Sequence, residues 1–532
     1  MLTPLGVSCV VCIVLLGYPA SFLGQAQPPS GQASRNDCKT HSGDVKRDKA
    51  AQCYDFEPIR QLIQRKLAEN AIPSIAVAVA KDGRILWEQG FGWADRESRT
   101  PATADTIYSL ASLTKPFTAT GVMELVEEHK VDLDAPIDKY IAPAVLTYER
   151  EWRKASVREV LSHTAGLPTF YCFHYEGEND PMVSMQETIR RYGLVAHKPG
   201  SVWEYTNLGY GILDYMTSRI SGLSWADYMR SRVFLPLKLQ RTSVGITQEV
   251  QKLVAPRYDD QTHHRLPPFD FDHRGASAIY SSVHDVVRFG MFQLKDNLPD
   301  QQRILADSAI DEMMRPANAE AFSGTQHKKL YGLGWYIETD HGYETVGHEG
   351  AMVGSATILK LFPNENLAIA VLTNTFNEWA VVDVQQQIAA AVLPKYAAAL
   401  HTATPKPPPT PPSPTKLLSD LVGHWAGKVQ TWMSTIPITL ECKPDGDIHV
   451  KLGDQLESVL NEVEYQDGNL VGRFAGNIAT EDAMRHPHSV VLNVWLEKNE
   501  LRGEASAATW DTELNYFELP SYVELSRGEG RK

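Results

Sequence analysis

The chain has 532 residues, too many for one ordinary domain of roughly 100–200 residues, and its 43% hydrophobic and 22% charged content is that of a folded globular protein. Its formal net charge is −14 and it carries no long Lys/Arg run. A nucleic-acid partner needs a basic footprint to neutralise phosphates, so that class of function is disfavoured.

In chain order, residues 7–17 form an apolar run shorter than the ~20 residues a membrane helix needs. Small and polar residues follow, with Gly24-Gln25-Ala26 as a cleavage site before Gln27, although no basic residue precedes the run. Residues 1–26 are therefore expected to be a signal peptide and the mature chain to be secreted or periplasmic, with no membrane contact beyond that segment. Residues 27–55 are polar and aperiodic, which predicts a flexible extension. Within it Cys38 and Cys53 could close a disulfide in an oxidising compartment. Cys172 and Cys442 lie far apart and are expected as free, buried thiols. The cysteine spacing matches no zinc pattern, and neither metal nor cofactor is implied.

Ile59, Leu62, Ile63 and Leu67 recur at helical spacing and predict an amphipathic helix ending near Asn70. Residues 74–80 and 85–92 read as strands joined at Lys81-Asp82-Gly83. Helices are expected after Thr114 and over 157–161, 208–220 and 225–234. Strand patterns return at 356–362 and 367–373 around Pro363-Asn364-Glu365-Asn366, and a helix then runs to about Leu400. Strands at both ends with helices between predict an α+β architecture, one antiparallel sheet flanked by helices, over residues 56–400. Residues 401–416 form a linker, and the prolines of 405–414 favour a semi-rigid polyproline II spacer. Short alternating runs at 436–441, 448–452, 489–496 and 501–505 predict a small all-β barrel or sandwich over 417–532.

Three short patterns carry chemistry. Ser112-Leu113-Thr114-Lys115 opens a helix, which sets Lys115 one turn after Ser112 on the same face. A serine hydroxyl is a poor nucleophile until a neighbouring base takes its proton, and a helix N-terminus favours a developing oxyanion. Tyr205-Thr206-Asn207 precedes a second helix; the phenol could shuttle a proton and Asn207 could hold a substrate carbonyl. The plainer alternatives are a core aromatic and an N-cap. His348-Glu349-Gly350 leads into a strand, where Gly350 would let a ligand approach and the Ala351 amide could be an oxyanion donor. No pattern is telling alone. Ser413-Pro414-Thr415-Lys416 repeats the first within the linker, and His41-Ser42-Gly43 repeats the third in the extension.

Taken in order, the three patterns resemble the set found in serine β-lactamases and penicillin-binding proteins, and the Tyr form of the second is similar to class C-like enzymes. The flanks agree: Tyr108-Ser109-Leu110-Ala111, Leu161-Ser162-His163-Thr164-Ala165-Gly166-Leu167-Pro168, Pro199-Gly200, Gly209-Tyr210 and Tyr331-Gly332-Leu333-Gly334-Trp335. The resemblance implies Ser112 as the acylated nucleophile, Lys115 as its proton acceptor and Tyr205 as general base or relay. It further implies substrate contacts from Asn207, His348, Gly350 and Ala351, with the Ser112 and Ala351 amides as oxyanion hole and His163 as a structural residue.

His348 stands where most β-lactamases carry lysine. A mostly neutral imidazole holds a substrate carboxylate less well, which moves small esters, amides or D-amino-acid peptides ahead of β-lactams. The alternatives are a class C-like β-lactamase, a D-Ala-D-Ala carboxypeptidase or, from another class, a non-catalytic β-lactam- or peptidoglycan-sensing binding protein. The aromatic stretch Phe170-Tyr171-Cys172-Phe173-His174-Tyr175 is a candidate acyl pocket. Leu421-Val422-Gly423-His424-Trp425-Ala426-Gly427 resembles the opening of a lipocalin-like module. The expected partner is a small-molecule or short-peptide substrate.

Overall fold

The structure, a computed structural model, describes residues 54–178, 181–317, 330–402, 421–466, 468–509, 514 and 516–528. The expected signal peptide, the Cys38–Cys53 pairing, most of the extension and the 405–414 proline stretch lie outside the described residues.

The first helix, Glu57–Glu69, buries Ile59, Ile63 and Leu67, the stripe its periodicity predicts. Strands Ser74–Lys81 and Arg84–Asp95 then turn about Asp82 and Gly83, both at positive φ (+51° and +74°), the twist a two-residue hairpin favours. Ser74–Lys81 pairs on its other side with Leu367–Thr373, from Ile75 opposite Thr373 to Lys81 opposite Leu367. The ends of the domain thus meet in one sheet, as expected. Its eight strands run Leu330–Tyr331, Tyr336–Asp340, Tyr343–Met352, Ser355–Phe362, Leu367–Thr373, Ser74–Lys81, Arg84–Asp95 and Thr100–Pro101, every pair antiparallel.

Alternation along the central strands divides their side chains between two cores. Ile75, Val77 and Val79 pack with Ile369 and Val371 beneath Glu57–Glu69 and the helix Glu378–Val392. Ala76, Ala78, Ala368 and Ala370 face the larger core that holds Phe117, Phe289 and Trp335. Two helices depart from expectation. The 225–234 stretch begins as Trp225–Met229 and widens to π winding at Arg230–Phe234. The helix expected to run to Leu400 stops at Val392 and restarts at Pro394, which has no N–H to continue the ladder.

The C-terminal strands form a nearly closed antiparallel barrel: Ser458–Val459, Ile448–Leu452, Thr435–Cys442, Gly423–Gln430, Phe517–Arg527, Glu500–Ala508, Ser489–Glu497, Asn469–Phe474 and Asn461–Gln466. Its interior takes alternate residues such as Trp425, Leu440, Val450, Leu492 and Val523, all buried. The barrel is not a loosely tethered unit. Tyr171–Tyr175, from the first domain, adds to the barrel strand Phe517–Arg527, with Cys172 opposite Phe517. Arg191 bridges to Asp482 at 3.1 Å and its guanidinium lies 4.4 Å from the Trp432 ring centroid. One continuous apolar cluster runs through both domains.

Candidate active site

Ser112 sits in the 3-10 turn Ala111–Leu113, which runs directly into the helix Thr114–Glu127. Ala111 enters the turn at φ +49°, a conformation that costs a residue with a Cβ on the order of 1–3 kcal/mol and persists only where its surroundings impose it. Those surroundings are explicit. Ser355 Oγ donates to Ser109 O at 2.7 Å, Thr357 Oγ1 to Leu110 O at 2.9 Å, and Leu110 N to Ile279 O at 2.9 Å.

One turn on, Lys115 is fully buried. Its Nζ lies 3.2 Å from Ser112 Oγ, 2.8 Å from Asn207 Oδ1 and 3.3 Å from Ala276 O. These three oxygens are neutral. The Tyr205 ring covers the same nitrogen at 4.5 Å and Tyr210 at 5.5 Å. Spacing alone brings Ser112 and Lys115 together, whereas Asn207 comes from the start of another helix, Asn207–Ser221. The N-cap of that helix is Thr206, whose hydroxyl accepts from Gly209 N, so Asn207 is spared from capping and turned to the lysine.

Two buried histidines flank Tyr205. His163 has its ring 4.5 Å from the Tyr205 ring, and its Nδ1 accepts the Thr206 backbone N–H at 3.1 Å. Its pKa is pushed well below the ordinary value, first by burial and then by the charge of Lys115. It is a neutral imidazole that holds the 205–207 stretch, the structural role expected of it. His348, on Tyr343–Met352, is fixed on both nitrogens: Nδ1 faces Glu349 O at 2.5 Å and Nε2 faces the Tyr331 hydroxyl at 3.0 Å. A carbonyl only accepts, so Nδ1 carries a proton, and Nε2 pairs with the Tyr331 hydroxyl, which can donate or accept. Burial raises the Tyr331 pKa well above its ordinary value and keeps that phenol protonated.

Gly350 serves a different purpose from the one expected. A Cβ there would meet Leu110 O at 2.0 Å and Leu113 N at 3.0 Å. The backbone of the Ser112 turn, rather than a ligand, takes up the missing side chain, and this contact lays the Gly350–Ala351 strand edge beside Ser112. The aromatic stretch 170–175 also departs from expectation. Phe170 packs on Tyr192 and His273, and Phe173 on Phe269 and Phe271. With its ladder to Phe517–Arg527, this is core and domain seam, not the acyl pocket the sequence suggested.

Ala276 and Tyr331 carry contacts that the three patterns did not isolate. Tyr331 lies within a quoted flank, Tyr331-Gly332-Leu333-Gly334-Trp335. Ala276 contributes only a carbonyl, which no side-chain pattern can reveal. Among the described residues, no cluster of three or more His, Cys, Asp or Glu could hold a metal ion.

A serine, a buried lysine, a tyrosine and a strand edge beside a helix N-terminus form an acyl-transfer arrangement. Residues 59–393 match the family description "Beta-lactamase", more than half of the chain. The chain belongs to the Beta-lactamase family. Protein flp of Staphylococcus aureus (strain N315) is 24% identical over 328 residues, 61% of this chain, and the chain spans 64% of the length of flp. Among solved structures, the octameric penicillin-binding protein homologue from Pyrococcus abyssi shares the fold at TM-score 0.56 and 23% identity, over 88% of this chain and 99% of its own. EstCE1, a hydrolase with promiscuous acyltransferase activity, does so at TM-score 0.53 and 19% identity, over 63% and 97%.

Proposed function

We propose that this family member is an exported hydrolase that works through a Ser112 acyl-enzyme on small esters, amides or D-amino-acid peptides rather than on β-lactams. The observation that carries the reading is the position of Lys115 Nζ, within hydrogen-bond reach of both Ser112 Oγ and Asn207 Oδ1. In the acylation step, Ser112 Oγ forms a bond to the substrate carbonyl carbon while its proton passes to Lys115 Nζ as the neutral amine. The carbonyl oxygen becomes an oxyanion beside the Ser112 and Ala351 amides at the positive end of the Thr114–Glu127 helix. As the oxyanion collapses, the bond to the leaving group breaks and Tyr205 relays the proton to it. Water then attacks the acyl carbon with the same residues running in reverse, and Ser112 is regenerated.

The substrate class follows from His348. With Nδ1 on a carbonyl and Nε2 on Tyr331, both ring nitrogens are engaged inside the protein, and an imidazole so held serves a substrate carboxylate less well than a lysine would. Esters and amides without that carboxylate lose nothing. The name of EstCE1 points the same way, and the apolar run at 7–17 supports export. The barrel is proposed to be lipocalin-like on the resemblance of its opening residues.

The test is p-nitrophenyl short-chain ester release beside nitrocefin hydrolysis by the purified chain and its Ser112→Ala variant. Ester turnover that falls by at least about three orders of magnitude in the variant, with feeble nitrocefin turnover, is expected. Fast, Ser112-dependent nitrocefin turnover would reverse the substrate assignment, and equal rates in both proteins would remove Ser112 from the mechanism.

A further inference from the structure

The outer face of the barrel is expected to be solvated, and along Ser489–Glu497, Glu500–Ala508 and Phe517–Arg527 it carries Asn493, Glu504 and Glu518. It is instead covered by the first domain, and the two glutamates are only 2% and 6% exposed. Opposite them lies Glu204, 7% exposed, the residue immediately before Tyr205. Asn493 Nδ2 donates to Glu204 Oε1 at 3.1 Å and to Glu504 Oε1 at 3.2 Å, so one amide bridges two carboxyls from different domains. No donor reaches the second oxygens, Glu204 Oε2 and Glu504 Oε2, and the two carboxyls lie close enough to hydrogen-bond to each other, which requires a proton on one of them.

The other polar groups facing the cluster are few. His197 Nε2 lies 3.7 Å from Glu204 Oε2, beneath the Trp495 ring, and burial lowers its pKa to about 4, so it is neutral near pH 7. The Thr169 backbone N–H reaches Glu504, and Arg473 is the cation that acts on Glu518. Three ionised carboxylates against one cation in a dry seam would repel strongly. The described residues offer no three-ligand cation site that could neutralise them instead.

We propose that Glu204 and Glu504 share a proton across the domain seam, and that this carboxyl pair is a positioning device through which the barrel holds the Glu204–Asn207 stretch of the active site. The assignment rests on the reading of Tyr205 and Asn207 as working residues. Glu204 N donates to His163 O, and His163 Nδ1 in turn accepts from Thr206 N, so a displacement of Glu204 is felt on both sides of Tyr205. Burial raises the pKa of both glutamates; the charge of Glu204 raises Glu504 further, while Glu204 is eased by its hydrogen bond with Glu504 and opposed by the charge of Glu518. Glu518 is pushed up to about 8 by burial and by Glu504. The sign is fixed by linkage: a carboxyl whose folded pKa is raised supports the docked state below its ordinary value of 4.5, and that support is lost as pH climbs toward 8.

The experiment follows docking and activity together from pH 6 to 9 in the full chain. Docking is read from hydrogen exchange at the Phe173 amide, which donates to Tyr516 O across the seam at 2.7 Å, after correction for intrinsic exchange. Protection in the wild type is expected to fall about tenfold or more through pH 7–8, with kcat/KM for an ester falling in parallel. In Glu504→Gln, which supplies a neutral partner permanently, the alkaline midpoint of both should rise by about one pH unit or more. Glu204→Gln is the second variant should Glu504→Gln fail to fold. Flat protection in the wild type, or unchanged midpoints in the folded variant, overturns the proposal. Because exchange is measured without turnover, a chain that hydrolyses nothing would refute the proposed function while still deciding this one.

Discussion

The two sides of residues 204–207 are built on opposite principles. Toward the cleft, Tyr205 and Asn207 surround the buried Lys115 amine, which reaches the neutral oxygens of Ser112, Asn207 and Ala276. Toward the barrel, Glu204 joins a group of buried carboxyls around one amide donor. Burial disfavours the charged form of any group, so each side is most comfortable when its charge is absent. On the cleft side that favours a lysine able to accept a proton. On the barrel side it favours carboxyls that keep theirs. The Tyr205 segment is thus held between a buried lysine on one side and buried carboxyls on the other, the carboxyl side completed by the second domain.

The cleft side is broken most directly at Lys115. Lys115→Met keeps the volume and removes the nitrogen, and it should lower ester kcat/KM by about 10²–10⁴, with little change in hydrogen exchange at Phe173. If the variant loses seam protection as well, its activity loss includes displacement of the seam and is no longer a measure of the cleft side alone. The next largest effect belongs to Gly350. Gly350→Ala drives a Cβ against Leu110 O, so the strand or the Ser112 turn must move. A stability loss of about 1–3 kcal/mol by denaturant titration is expected, with a drop in kcat rather than in KM. Wild-type stability would show that the strand edge and turn are looser than their contacts imply.

The cleft side was legible in the sequence because each of its parts is a short pattern. Ser112 and Lys115 share a helix face, and Tyr205-Thr206-Asn207 and His348-Glu349-Gly350 each span three residues. Local geometry then does most of the placement. The reason for Gly350 was not legible, because it depends on which backbone lies opposite. The antiparallel sheet joining both ends of the domain was readable from hydrophobic runs alone. The barrel side was not. Alternation in 489–496 and 501–505 correctly puts Asn493 and Glu504 on the outer face, but an outer face bearing Glu reads as solvated. Nothing in those strands announces that a second domain covers them, and residues 171–175 read as a candidate acyl pocket until their partner strand is known.

A last test sharpens the comparison at two imidazoles, one on each side. His163 on the cleft side and His197 on the barrel side both have pKa values lowered by burial, His197 to about 4 and His163 well below its ordinary value. An unfolded chain takes protons on these rings below pH 6.5 that the folded chain refuses, so stability must fall as pH drops. Each ring contributes a slope of about 1.4 kcal/mol per pH unit. For His197 the slope ends near pH 4, where the folded ring protonates too; for His163 it continues lower. His163→Asn keeps an acceptor for the Thr206 N–H and tolerates the φ of +60° at that position. Denaturant titrations between pH 3.5 and 7.5 should show a shallower acid limb in His163→Asn and in His197→Gln, with only the former shallower below pH 4. If neither variant flattens the limb, the imidazoles are protonated inside the fold, and Lys115 is not alone on the cleft side in taking a proton.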